Sequence, residues 1–195
     1  MTARENTNAG LPSIAIYPPS KRRDYLMLVA AVAASDEELH PDELELLNRW
    51  MKEFELPSRY KRAVLAAAYD EPPNIDKIQR RLSKTDLVYS LMLDMMGMAM
   101  ADGVLMDDER ILLRDVADTL EIDPIDFNIL IEFVHSAHHA SFLSNPEPLY
   151  EHNIESAFEL LKHRRVRLFA HTLLCVVSPE FDRVLKERWF ASQTD

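Results

Sequence analysis

Glycine is scarce: the 195 residues hold three, Gly10, Gly97 and Gly103. A phosphate-cradling loop or a dinucleotide fingerprint needs several glycines within a few positions. No nucleotide cofactor is therefore expected. Cysteine is scarcer still. Cys175 stands alone in the apolar run LLCVV, so no disulfide can form within the chain, and a reducing, cytoplasmic setting is expected. The thiol reads as a small buried hydrophobe. Basic charge is in deficit, with 22 Lys and Arg against 33 Asp and Glu and a net charge of −11. Such a surface does not suit nucleic acid; it suits cations, basic proteins or plain solubility. Long apolar runs are missing too. YLMLVAAVAAS is too short to span a bilayer, and LVYSLMLDMMGMAMA carries Asp94 in its middle. Neither a signal peptide nor a transmembrane segment is expected.

What is present is helical. Hydrophobic residues make up 47% of the chain, enough for one well-filled core. Residues 1–20, with Pro12, Pro18 and Pro19, read as a loose tail. Ser20 is placed to cap a helix over about 21–35, and Pro41 to open a second over about 41–55. Further starts are expected at Pro57-Ser58, Asn74, Thr85, Asp107, Asp123-Pro124, Asn145-Pro146 and Ser178-Pro179. The helix after Asn145 is expected to run through LLKHRRVRLFAHTLLCVV. IAIY, beside two prolines, is too short for a strand. The fold class is all-α: a helical domain over 21–140 and a C-terminal helical extension over 141–195.

Sliding the chain by 66 residues reveals an internal repeat. SDEELHPDELELL falls on ADGVLMDDERILL, setting Asp36 on Asp102, Leu39 on Leu105, Asp42 on Asp108 and Glu43 on Glu109. Each half reads as apolar helix, acidic loop, amphipathic helix. Acids in a first helical turn are stabilised by the free amides and the macrodipole by about 0.3–1 kcal/mol each. That alone accounts for Asp42, Glu43, Asp108 and Glu109, with Gly103 supplying a positive φ and Leu105 plugging the corner into the core. Convergence of Asp36, Glu43, Asp102 and Glu109 would instead repel unless a cation intervened. Oxygen ligands favour a hard divalent cation, Ca²⁺ or Mg²⁺ ahead of Zn²⁺ or Mn²⁺. The spacing is not that of an EF-hand loop.

The phrase ADGVLMDDERILL after an apolar helix, echoed by SDEELHPDELELL, resembles the TerB-like family of tellurite-resistance proteins. The likeness runs over roughly residues 22–140, with the hallmark A-D-G turn and a Glu seven after the Asp at 101–109. It implies a duplicated helical unit, an acidic surface site proposed to hold metal, and a role in stress response rather than a known reaction. A module of the same kind occurs in a membrane-anchored J-domain co-chaperone. Carried onto this chain, Asp102 and Glu109 match the motif best. Asp36 and Glu43 match less well, because Glu37 stands where the first loop should have glycine.

Other residues compete. His135 and His139, four apart in EFVHSAHHA, can share a metal on a helix face, or simply form a histidine-rich helix C-terminus with His138. Glu132-x-x-His135 is half of a di-iron helix motif, whose second half is missing. The methionines around Asp94 suit a plastic core, a partner groove or a soft metal, and Asp94 is expected to pair with an arginine. KRR at 21–23 and KHRRVR at 162–167 can touch anionic lipid or form solvated faces. The reading that unites these features is a non-enzymatic protein that binds a divalent cation through paired acidic loops. The alternative is a metal-free interaction module with an acidic patch and Met/Leu-rich faces, for which a protein partner is expected. A di-metal helical-bundle oxidoreductase comes third.

Overall fold

The computed structural model describes residues 11–34, 41–69, 75–101, 103–140, 145, 147–172 and 178–193, except the side chain at 42. Nine helices occur among them: α1 (Pro19–Ala33), α2 (Pro41–Glu53), α3 (Ser58–Tyr69), α4 (Ile75–Leu82), α5 (Val88–Ala99), α6 (Asp107–Thr119), α7 (Pro124–Ala140), α8 (Pro148–His163) and α9 (Pro179–Ser192). The described residues contain no strand, and the all-α expectation holds. No helix among them is long and apolar enough to cross a membrane.

The two most apolar segments lie at the centre. In α1, Tyr25 to Ala30 are all buried, and in α5 every residue except Tyr89 is buried. Helix α1 packs against α3, α4 and α5, while α7 joins α5 to α8. Met92, Met95, Met96 and Met98 are at most 1% exposed. Their flexible thioethers fill the space between helices, so they offer neither a partner groove nor a soft-metal face. This agrees with the plastic-core reading of these methionines.

Helix boundaries recur at the 66-residue offset. Helices α1 and α5 end at Ala33 and Ala99; α2 and α6 span Pro41–Glu53 and Asp107–Thr119; α3 and α7 start at Ser58 and Pro124. The ends of α2 and α6 also match in detail. Glu55 and Glu121 adopt φ of 48° and 60°. The Leu56 amide returns to the Met51 carbonyl at 3.2 Å, and the Ile122 amide to Ala117 at 2.9 Å. These are the closing bonds of a left-handed helix stop.

Three boundaries differ from expectation. Helix α1 starts on Pro19, whose fixed φ and missing amide suit a first helical position, so Ser20 lies inside the first turn and does not cap it. Thr85 does not open α5. Its Oγ1 donates to the Leu82 carbonyl at 2.7 Å and accepts from the Leu87 amide at 3.3 Å, which ties a turn ahead of the helix. Helix α8 does not run through KHRRVR: it begins after Glu147 and stops at His163. There Arg165 turns left-handed at φ 54° and the Val166 amide bonds back to Leu161. The expected tail is packed from residue 11 onward. Ile14 is buried in a short 3₁₀ turn, and the Ala170 amide donates to the Pro12 carbonyl at 3.2 Å. Cys175 lies outside the described residues.

Candidate functional site

The chain leaves α5 through Ala101 and turns at Gly103, whose φ of +93° an L side chain rarely adopts. A Cβ there would also stand 3.3 Å from Nε2 of His138, so the corner rests on α7. Leu105 packs partly buried against the core, as its place in the motif predicts. Helix α6 then starts with Asp107, Asp108 and Glu109. The three acids do different things. Glu109 Oε2 accepts the Met106 backbone amide at 2.8 Å, and the residue is only 5% exposed. It is half of a capping box, since Met106 has no side-chain oxygen to return the bond. Asp107 and Asp108 are exposed and face solvent beside the free amides of the first turn.

Glu43 holds the equivalent third position of α2 and is likewise buried, at 7% exposure. The two glutamates that the motif singles out therefore point inward at the starts of matching helices. Asp36 and Asp102 lie outside the described residues, as does the side chain of Asp42. Among the described residues, no three His, Cys, Asp or Glu side chains converge as a metal cage.

The outer face of α6 is mixed. Ile111, 60% exposed, lies one turn beyond Asp107 and Asp108, and exposed Asp115 lies one turn further along the same stripe. Val104 and Met106, on the loop leading into α6, are also more than half exposed. A capped helix start thus carries three apolar side chains beside carboxylates, with Arg110 and Arg114 also exposed on α6.

On α7, the Nε2 atoms of His135 and His139 lie 3.2 Å apart. Partial burial holds the His135 imidazolium below the ordinary histidine value; the charge of His139 adds to this and that of Glu132 opposes it. Glu132 and His135 are both exposed. A di-iron site gathers such residues into the centre of a bundle, so the Glu-x-x-His pair does not serve as half of one.

Asp94 is fully buried and pairs, among the described residues, with Tyr25 and His171 and not with an arginine. Its Oδ2 accepts from the Tyr25 hydroxyl at 2.5 Å and lies 2.7 Å from His171 Nε2. The aromatic rings of Tyr25, Trp50, Phe54 and Phe169 surround His171, with Phe54 closest at 4.5 Å between centroids. No solvent reaches this group, so it organises the core. The basic stretches are partly engaged within the chain, while Arg165 and Arg167 stay exposed. Arg22 is buried and donates to the Phe54 carbonyl. Arg23 and Arg81 hold Asp24 at 2.5 and 2.7 Å. Lys162 donates to the Ser192 carbonyl at 2.7 Å, and Arg164 pairs with Asp126 at 2.7 Å. The Tyr89 hydroxyl donates to the same Asp126 oxygen at 2.5 Å; burial first, then this bond, raises its pKa well above the ordinary tyrosine value.

Sequence reasoning missed Tyr25 and His171 as partners of Asp94. The signal available was a lone acid inside an apolar helix, which demands a polar partner without saying which. Against known proteins, residues 63–131 match the family model described as Tellurite resistance protein TerB, a span from within α3 to within α7 that contains the whole corner. No curated protein and no solved structure matches the chain.

Proposed function

We propose that this chain, TerB-like over residues 63–131, is a non-enzymatic binding module whose working surface is the corner between α5 and α6 and the outer face of α6. One observation carries the reading: Val104, Met106 and Ile111 stand exposed on a capped, buttressed corner between Asp107, Asp108 and Asp115. Apolar anchors beside Asp107, Asp108 and Asp115, with exposed Arg110 and Arg114 flanking Ile111, suit a partner segment whose apolar residues are framed by charge of both signs, with lysine or arginine against the aspartates. The shared offset of the helix boundaries supports descent of the two halves from one duplicated unit. The family resemblance supports a setting in stress response.

A photo-crosslinking residue at position 111 tests this, with one at exposed Leu149 as the control. The expected result is a discrete crosslinked partner from position 111 that is lost in the Asp107→Asn, Asp108→Asn variant. No adduct at 111, or the same adduct from 149, overturns the reading.

A second reading, a Ca²⁺ or Mg²⁺ site at the same corner, is favoured by the run Asp107-Asp108-Glu109 and by buried Glu43 in the matching place. It takes Asp102, Glu109, Asp36 and Glu43 as ligands, with Asp108 and Asp42 as the neighbouring acids. A cation that binds only the folded chain raises its melting temperature. An equal rise in the Asp102→Asn, Glu109→Gln variant removes this reading.

A further inference from the structure

We propose that His135 and His139 form a transition-metal site on the outer face of α7, taking Zn²⁺, Ni²⁺ or Cu²⁺ between their Nε2 atoms. The site is separate from the acidic corner, uses nitrogen rather than oxygen donors, and does not depend on the reading given above for that corner.

Geometry carries the inference. Residues four apart on a helix lie on one face, one turn from each other. The two rings lean together with the nitrogens innermost, since the centroids are 4.4 Å apart and the Nε2 atoms 3.2 Å. Two imidazoles on one tetrahedral metal, with Zn–N bonds of about 2.0–2.1 Å, place their nitrogens roughly 3.3 Å apart. The observed separation is close to that bite, and a small rotation of the two exposed rings, whose centroids now lie 4.4 Å apart, aims both nitrogens at one point. Both residues are exposed, so water can complete the coordination shell. The ring of Tyr150 on α8 lies nearly parallel to His139, 5.8 Å away at 10°, and backs it from the neighbouring helix. Glu132 stands one turn before His135 on the same stripe, close enough for its charge to be felt there.

Ligand chemistry agrees. A metal takes the neutral imidazole, so protons compete with it. Both imidazoles reach solvent, so a metal can displace their protons and take both Nε2 atoms. Nitrogen donors suit Zn²⁺, Ni²⁺ and Cu²⁺, with Cu²⁺ tightest, and suit Ca²⁺ and Mg²⁺ poorly. The competing account of the 3.2 Å approach is an N–H···N hydrogen bond between two neutral rings, which would need no metal.

The test is calorimetric titration of the tag-free full chain with Zn²⁺, Ni²⁺ and Cu²⁺ separately, with Mg²⁺ as the comparison. The expected result is saturable binding of the three transition metals, tightest for Cu²⁺. His135→Gln and His139→Gln should each weaken it at least about tenfold, since the second imidazole binds at high effective concentration once the first is engaged. Both side chains are exposed, so the variants should keep the metal-free melting curve at pH 7.5. Asp108→Asn and His152→Gln should bind as the parent does. No binding of any of the three metals overturns the proposal, as does affinity unchanged in both His135→Gln and His139→Gln. Equal loss in Asp108→Asn would move the site to the corner and overturn it too.

Discussion

Replacing Asp94 with alanine tests how the centre of the molecule is held. Asp94 Oδ2 is the shared acceptor for the Tyr25 hydroxyl and His171 Nε2, and all three residues are at most 2% exposed. Alanine removes the acceptor and leaves both polar groups in an apolar cage where water does not reach them. A buried polar group that loses its partner costs about 1–3 kcal/mol. Two such losses, with a small cavity added, predict destabilisation of about 3–5 kcal/mol for Asp94→Ala. For a chain of this length that corresponds to a melting temperature lower by roughly 6–20 °C. Tyr25→Phe deletes donor and bond together and is expected to cost only about 1 kcal/mol. The double variant should lose less than the two single losses combined, by at least about 1 kcal/mol, because the stranded hydroxyl is gone. Thermal and urea unfolding of the four proteins would measure this cycle. An Asp94→Ala loss below about 1 kcal/mol, or strict additivity with Tyr25→Phe, would refute the picture of a shared buried acceptor.

Gly103→Ala forces an L side chain to φ +93° and brings its Cβ to 3.3 Å from His138 Nε2. It should cost about 1–2 kcal/mol in chemical unfolding, most of it retained in a His138→Ala background if the backbone angle is the cause. Glu109→Ala frees the Met106 amide at the start of α6 and should cost about 1 kcal/mol, whereas Glu109→Gln, which keeps an acceptor oxygen, should cost less. His135 has a folded-state pKa below its unfolded one, so below about pH 6.5 the unfolded chain binds more protons and stability falls with pH. His135→Gln should therefore lose less melting temperature than the parent between pH 7 and pH 5. Parallel slopes would show that the imidazole is not held neutral.

Helix starts were legible because they depend on one or two residues. Pro41, Asp107, Pro124 and Pro179 begin helices where their chemistry says they should, and Gly103 has the positive φ that its place in the turn implied. The register of 66 was legible for the same reason, since it rests on caps and acids rather than on interchangeable core residues. Helix ends were harder. The stop after His163 is made by Arg165 in a left-handed conformation, and arginine carries no local signal for that. Buried pairing was harder still. Asp94 lies 69 residues from Tyr25 and 77 from His171. Helical periodicity states that a side chain faces the core, not what it meets there. The candidate corner was visible as a motif, but the division of labour among its acids was not. Only packing decides that Glu109 turns in to hold an amide while Asp107 and Asp108 face water.

Glu55, Glu121 and Arg165 each close a helix with a left-handed backbone that a β-carbon crowds. In most helical proteins such places are already glycine, and stability is improved by taking glycine away from elsewhere. Here the direction reverses. Adding glycine at any of the three relieves crowding that outweighs the extra freedom of the unfolded chain, for a gain of about 0.5–1 kcal/mol each. The three positions lie in separate turns, so the gains should add. Three glycine edits at helix stops, none of them at Gly103 or the α7 histidines, would thus provide a sturdier parent in which the destabilising variants above still fold and can be compared.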